Sequence, residues 1–267
     1  MQLRPRAWSR ATQWLVVGLL IAIVSVAVVV VRPKASRGGL DSVGQGPPGP
    51  VVLVPGYGGG TAGLYVLARR LQAAGRSTAV LQLAGDGTGD LRVQAALLAS
   101  TVKKLIAGGA PSVDVVGYSA GGIVTRLWAS ELGGAAQARR VVLLGSPNGG
   151  TEVAALGAAF GGSLCAVACR QLIPGNDLLE GLSQAGTPPG PQWVSIWTTQ
   201  DQVVTPPDTA RLDGAVEIPV QSICKDEQVD HGSLPTNPVV GALVVRALTA
   251  TPFTAPTSSD CRALRAG

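Results

Sequence analysis

The sequence predicts an α/β protein built on a doubly wound, mostly parallel sheet of about six strands, preceded by one N-terminal transmembrane or signal helix. Three observations carry that prediction. Short apolar runs rich in β-branched residues alternate with longer helix-like stretches, as expected of parallel strands joined by helices that cover both faces of a sheet. The stretch 51–267 has a size that a single domain accommodates. Residues 14–31 form an uncharged run of 18 residues that belongs to neither pattern.

Residues 1–37 read as a basic N-terminus carrying a signal anchor. The run 14–31 is longer than the ~7–15 apolar residues of a cleaved signal peptide and close to the ~20 needed to span a bilayer. Its one cleavage-like triplet, Ser25-Val26-Ala27, lies inside the run. Basic residues flank it on both sides in nearly equal number, which leaves its orientation open. Six Arg and Lys residues precede the first acid, Asp41; without them 15 basic residues face 16 acidic ones, and the formal charge moves from +5 to −1. A near-neutral domain argues against a nucleic-acid partner, which requires a basic patch on the folded surface. Residues 38–50, rich in Gly and Pro, read as a linker.

Strands are predicted at 51–54, 78–83, 113–116, 140–144, 193–198 and 216–223, and helices at 62–74, 90–106, 120–132 and 238–248. Asp90 predicts an N-cap for the second helix. Between 150 and 187 the chain is long for a strand connection and largely apolar, and reads either as a cap or acyl-binding wall over Ser119 or as an ordinary packed helix. An even count of four cysteines behind an export signal points to disulfides in an oxidising compartment. Of the three possible pairings, Cys165–Cys169 is local and Cys224–Cys261 ties the tail to the segment before His231, and this is the pairing expected.

The chemistry concentrates on three residues. Ser119 is the one serine in a Gly-x-Ser-x-Gly pattern, Gly117-Tyr118-Ser119-Ala120-Gly121, placed between a predicted strand and a predicted helix. That placement suits a nucleophile elbow, whose turn lifts the serine oxygen clear of the sheet edge. A serine hydroxyl is a weak nucleophile until a base takes its proton, and His231 is the chain's only histidine. Asp201, just past the fifth strand, is the acid expected to orient that imidazole; Asp208 and Asp213 read as capping or solvating a short helix, and Asp230 adjoins His231 too closely to reach round to its ring. Candidate oxyanion donors are the backbone N–H of Ala120 and that of Tyr57, in the glycine-rich loop 55–60. That loop lacks the spacing and the lysine of a phosphate-binding loop. With the only histidine assigned and no close Cys pair, no metal or cofactor is expected.

At Val54-Pro55-Gly56-Tyr57-Gly58-Gly59, Gly117-Tyr118-Ser119-Ala120-Gly121-Gly122, Gly145-Ser146-Pro147-Asn148-Gly149-Gly150-Thr151, Asp201-Gln202-Val203-Val204 and Val229-Asp230-His231-Gly232, the chain resembles the small secreted bacterial lipases, of Bacillus and actinobacterial type, within the α/β-hydrolase superfamily. The resemblance implies a minimal α/β-hydrolase fold and metal-independent ester hydrolysis through an acyl-serine. It also implies a lipid or other acyl-ester substrate. The chain departs from the family at Pro55, Tyr118 and Asn148, where histidine is common; none of these is Ser119, Asp201 or His231. Two rival readings keep the same residues: an acyltransferase using the same triad, and a non-catalytic, membrane-tethered binding domain on a hydrolase scaffold. A protease reading is a further rival. The expected protein is a monomer with its catalytic domain outside the cell membrane, anchored through 14–31 or secreted if that segment is cleaved.

Overall fold

The structure, a computed structural model, describes residues 46–161, 165–249 and 253–266. Its six strands are β1 (Val51–Val54), β2 (Thr78–Val80), β3 (Val113–Tyr118), β4 (Ala138–Leu144), β5 (Gln192–Trp197) and β6 (Val216–Pro219). They form one sheet in the order β2-β1-β3-β4-β5-β6, with every pairing parallel. From β1 the chain crosses to one edge for β2, then returns past β1 to begin β3. The reversal opens a crevice beyond the carboxyl ends of β1 and β3, where open α/β sheets place their ligands. The loop 55–61 and Ser119 both emerge there.

The central strands are apolar on both faces because both faces are covered. Val52, Val54, Val115, Val141 and Leu143 pack with α2 (Leu91–Ala107) and α3 (Ala120–Glu131) on one side. Their neighbours Val51, Leu53, Val116, Val142 and Leu144 pack with α1 (Ala62–Ala73) and α8 (Pro238–Thr249) on the other. The remaining helices are α4 (Glu152–Phe160), α5 (Val167–Gln171), α6 (Asp177–Ala185), the single turn α7 (Val220–Ile223) and α9 (Cys261–Ala266). Asp90 caps α2 as expected, its side chain accepting from Arg92 N–H at 2.8 Å.

The edges differ from expectation. The strand predicted over 78–83 stops at Val80, and Leu81 N–H makes the last contact, to Leu53 O at 2.9 Å. Its sole partner, β1, has by then turned into Pro55, so the following residues have nothing to pair with. The strand predicted over 216–223 ends at Pro219, opposite Trp197 at the end of β5, and residues 220–223 turn into α7. Proline has no N–H with which to continue a ladder. The stretch 150–187 contains α4, α5 and α6 rather than one helix. Both expected disulfides, Cys165–Cys169 and Cys224–Cys261, are present. Among the described residues no helix is long and apolar enough to cross a membrane; the predicted anchor at 14–31 lies outside the described residues.

The amino end of the sheet holds a buried charge cluster. Asp114, at the start of β3, accepts from Arg76 at 2.6 Å and from Arg139. Arg76 and Arg139 also donate to Leu248 O, and Arg140 to Ala247 O. Those carbonyls end α8, where the helix dipole attracts cations. The Asp114 carboxylate and the end of α8 thus help to hold three guanidinium groups out of water, and burial lowers the Arg140 pKa. Asp114→Asn removes the buried carboxylate charge that Arg76 and Arg139 share. The expected loss is about 3–5 kcal/mol of unfolding free energy in a urea titration; a loss below about 1 kcal/mol, the range of an exposed pair, would show the cluster to be dispensable.

Candidate active site

Ser119 ends β3 and begins α3 with φ 54° and ψ −128°, and among the described residues it is the one non-glycine with positive φ. Such a backbone costs about 1–3 kcal/mol and persists only where its surroundings enforce it. Here they do so by contact. A methyl on Gly121 would sit 2.3 Å from Val54 O, one on Gly117 2.6 Å from the Gly122 Cα, and one on Gly122 1.8 Å from Ser146 Oγ. On the far side of the crevice, Gly56 passes so near that its Cβ would be 2.9 Å from the Ser119 Cβ. The glycines of the elbow are therefore a packing requirement.

The turn aims Ser119 Oγ at His231 Nε2, 2.9 Å away, and His231 Nδ1 lies 2.8 Å from Asp201 Oδ2. All three residues are buried. With Nδ1–H donating to the carboxylate, Nε2 is left as the acceptor for the serine hydroxyl. Asp201 is held in turn, its Oδ1 accepting from Val203 N–H at 2.9 Å and Val204 N–H at 2.7 Å. Asp230 instead closes its own turn by accepting from Ser233 N–H at 2.8 Å, and Asp208 and Asp213 are exposed. The chain thus brings Ser119, His231 and Asp201 together and leaves the other three acids aside.

The acid and histidine come from separate loops laced to each other. Thr198 Oγ donates to Val229 O at 2.7 Å, Val229 N–H donates to Gln200 Oε1 at 3.0 Å, and Gln221 bridges Thr198, Thr199 N–H and Glu227 O. From outside, the Cys224–Cys261 bridge and an Arg265–Glu227 pair at 3.1 Å fasten α9 to the histidine loop. Gly145, with φ 53°, runs beneath the pair, and a Cβ there would meet Leu234 at 2.5 Å and His231 Nδ1 at 3.3 Å. Sequence reasoning gave none of Thr198, Gln200 and Gln221 a role. They carry no pattern of their own, and only the meeting of the two loops makes them partners.

Tyr118 braces the histidine. Its ring centroid is 5.3 Å from that of His231, and its hydroxyl donates to His231 O at 3.1 Å. Burial, with the Asp201 and Asp230 charges adding to it, pushes the phenol pKa up to about 12, so the proton stays available for that bond. Asn148 stands behind the site, accepting from Arg126 at 3.3 Å and donating to Ala210 O at 2.8 Å. Burial lowers the Arg126 pKa to about 10.

Ala120 and Tyr57, the expected oxyanion donors, flank Ser119 differently. Ala120 N–H opens α3, at the positive end of its dipole. In the loop after β1, the Gly58 and Gly59 N–H groups are engaged by Gly87 O and Gly56 O at 3.3 and 3.0 Å. Tyr57 lines the same cavity as Ser119. That cavity has a volume of about 380 Å³, and beyond Ser119 and Tyr57 its walls come from Pro147, Thr151, the inner side of α4, the Cys165–Cys169 bridge, Leu172 and Val203–Val204. Thr151 caps α4 and, through contacts to Val203 O at 2.6 Å and Thr205 N–H at 3.1 Å, ties that helix to the loop of Asp201. Among the described residues no cluster of His, Cys, Asp and Glu could hold a metal ion.

Solved structures of similar fold include the mature Bacillus licheniformis lipase BlEst2, at 18% identity and TM-score 0.64, covering 76% of this chain and 92% of that one. Aspergillus fumigatus lipase B matches at 19% identity and TM-score 0.65 over 82% of this chain, which spans 57% of that longer protein. A Paleococcus ferrophilus monoacylglycerol lipase matches at 16% identity and TM-score 0.51, covering 74% of this chain and 91% of that one. At such identities the likeness is one of fold. No curated protein sequence matches this chain. Residues 51–258 match the alpha/beta hydrolase family, from the first strand of the sheet to beyond its last long helix, and the chain belongs to that family.

Proposed function

We propose that this chain is a serine hydrolase that cleaves carboxylic esters of lipids through an acyl-serine intermediate. The observation that carries the reading is the 2.9 Å contact between Ser119 Oγ and His231 Nε2 at the wall of an apolar cavity. In this reading Ser119 Oγ attacks the ester carbonyl while its proton passes to His231 Nε2. Asp201 holds the imidazole in the required tautomer and stabilises the imidazolium. The Ala120 and Tyr57 N–H groups take the oxyanion. Collapse of the tetrahedral intermediate returns the proton from Nε2 to the leaving alcohol and leaves an acyl-serine. Water, deprotonated by the same nitrogen, then releases the acid and restores Ser119.

The cavity favours an acyl chain because its walls are largely alkyl, sulfur and glycine. Every group invoked belongs to one chain, which suits a monomer. Two disulfides, one of them bracing the histidine loop, fit an exported protein, tethered by the apolar run 14–31 or released after its removal. Two solved proteins of like fold are lipases and a third is a monoacylglycerol lipase, which agrees with an ester substrate.

Ser119→Ala is expected to abolish both turnover of p-nitrophenyl esters and covalent labelling by a fluorophosphonate; labelling that survives would reject Ser119 as the nucleophile. His231→Ala removes the only imidazole, so turnover is lost with no second histidine to rescue it. Asp201→Asn keeps the shape but no longer enforces the tautomer, and kcat is expected to fall by about 10⁴-fold. A fall of less than tenfold would mean that another acid serves the histidine.

A further inference from the structure

Helix α4 is built inside out. Leu156 and Phe160 lie along its outer side, exposed by 57 and 86%. The cavity side presents Val153 at the first turn and then only Ala154, Gly157 and, just past the end, Gly161. A helix packed on a core turns its large apolar residues inward, as α6 does with Leu178, Leu179 and Leu182. Helix α4 does the reverse and so holds a space open next to Ser119. Glycine in a helix interior is also unfavourable for the helix itself, so Gly157 does not serve helix stability.

Facing α4 across that space is the Cys165–Cys169 bridge, and both of its residues line the cavity. A methyl placed on Gly157 would come within 4 Å of one group there, the Cys169 Sγ at 3.6 Å. The gap between Gly157 and the bridge is therefore about one small group wide, and any larger side chain at 157 must enter the cavity or displace the bridge. The bridge resists displacement because it joins residues only four apart. Ala154, Gly157, Gly161, Cys165, Cys169 and Leu172 offer no charged or hydrogen-bonding side chain, so this wall can recognise alkyl groups and not a polar head group.

We propose that Gly157 and the Cys165–Cys169 bridge are specificity-determining: together they bound the space for a single unbranched acyl chain and set the length the enzyme accepts. The proposal rests on the ester-hydrolase reading of Ser119. A larger residue at 157 shortens the accepted chain; removing the two sulfur atoms lengthens it.

The test uses the full-length protein and p-nitrophenyl esters from acetate to palmitate, read as the ratio of kcat/KM for decanoate to that for acetate. Gly157→Leu, which improves helix propensity, is expected to lower this ratio by about tenfold or more, since a single methylene in an apolar pocket is worth about that much. The double variant C165A/C169A is expected to raise the ratio and to shift the longest efficient substrate upward. Thermal unfolding of both variants establishes that each is folded. Ratios within about threefold of wild type in both folded variants would overturn the proposal while leaving ester hydrolysis at Ser119 intact. A wild type that hydrolyses no ester of the series, or whose turnover survives Ser119→Ala, would overturn the hydrolase reading and the proposal with it.

Discussion

The rest of the structure depends on a close approach of backbones at the carboxyl edge of the sheet. Ser119 can hold φ 54° because β1, the elbow and the following helix pack without side chains between them at Gly56, Gly117, Gly121 and Gly122. The strained turn, worth about 1–3 kcal/mol, is balanced by the burial of β3 and α3 on either side. Once it is held, the serine oxygen stands clear of the sheet, with one helix N-terminus behind it and the loop after β1 beside it. A side chain at any of those glycines would force the sheet edge apart before it touched a substrate.

The other half of the site has no such rigid frame. Asp201 and His231 sit in loops after β5 and β6, and short polar contacts join those loops around the buried Val204, Val229 and Leu234. Thr198, Gln200 and Gln221 bond loop to loop, Val203 and Val204 amides hold the carboxylate, and α9 is fastened on from outside by a disulfide and an ion pair. Tyr118, next to the serine, reaches across to the histidine carbonyl and joins the two halves. The sheet is thus anchored twice: at its amino end by the guanidinium groups around Asp114 and the end of α8, and at its carboxyl end by the glycine contacts.

Much of this was legible in the chain. Strands buried on both faces leave uninterrupted apolar runs, and the four central ones were readable for that reason. The edge strands were misjudged in length because a strand ends where its partner does, which Pro55 and Pro219 decide jointly with β1 and β5. Ser119 was readable from its glycines and its place between strand and helix, and His231 from its solitude. Asp201 followed from its position after a strand. What carried no mark was the support: Thr198, Gln200, Gln221 and Gly145 look like ordinary loop residues until two loops meet.

By itself the sequence determined the kind of sheet, the chain order of its strands and main helices, and the identity of the three residues that converge. Each is a local matter, written in periodicity, in turn chemistry or in the scarcity of a residue type. Only the tertiary structure decided what the stretch 150–187 is. An apolar helix reads the same whether it fills a core or lines a cavity, because composition does not say which side faces inward. In α6 the leucines face in, while in α4 the glycines and alanine do and Phe160 faces out. That orientation is set by where Thr151 pins α4 to the loop of Asp201, some fifty residues on, and by the Cys165–Cys169 bridge that stands opposite it.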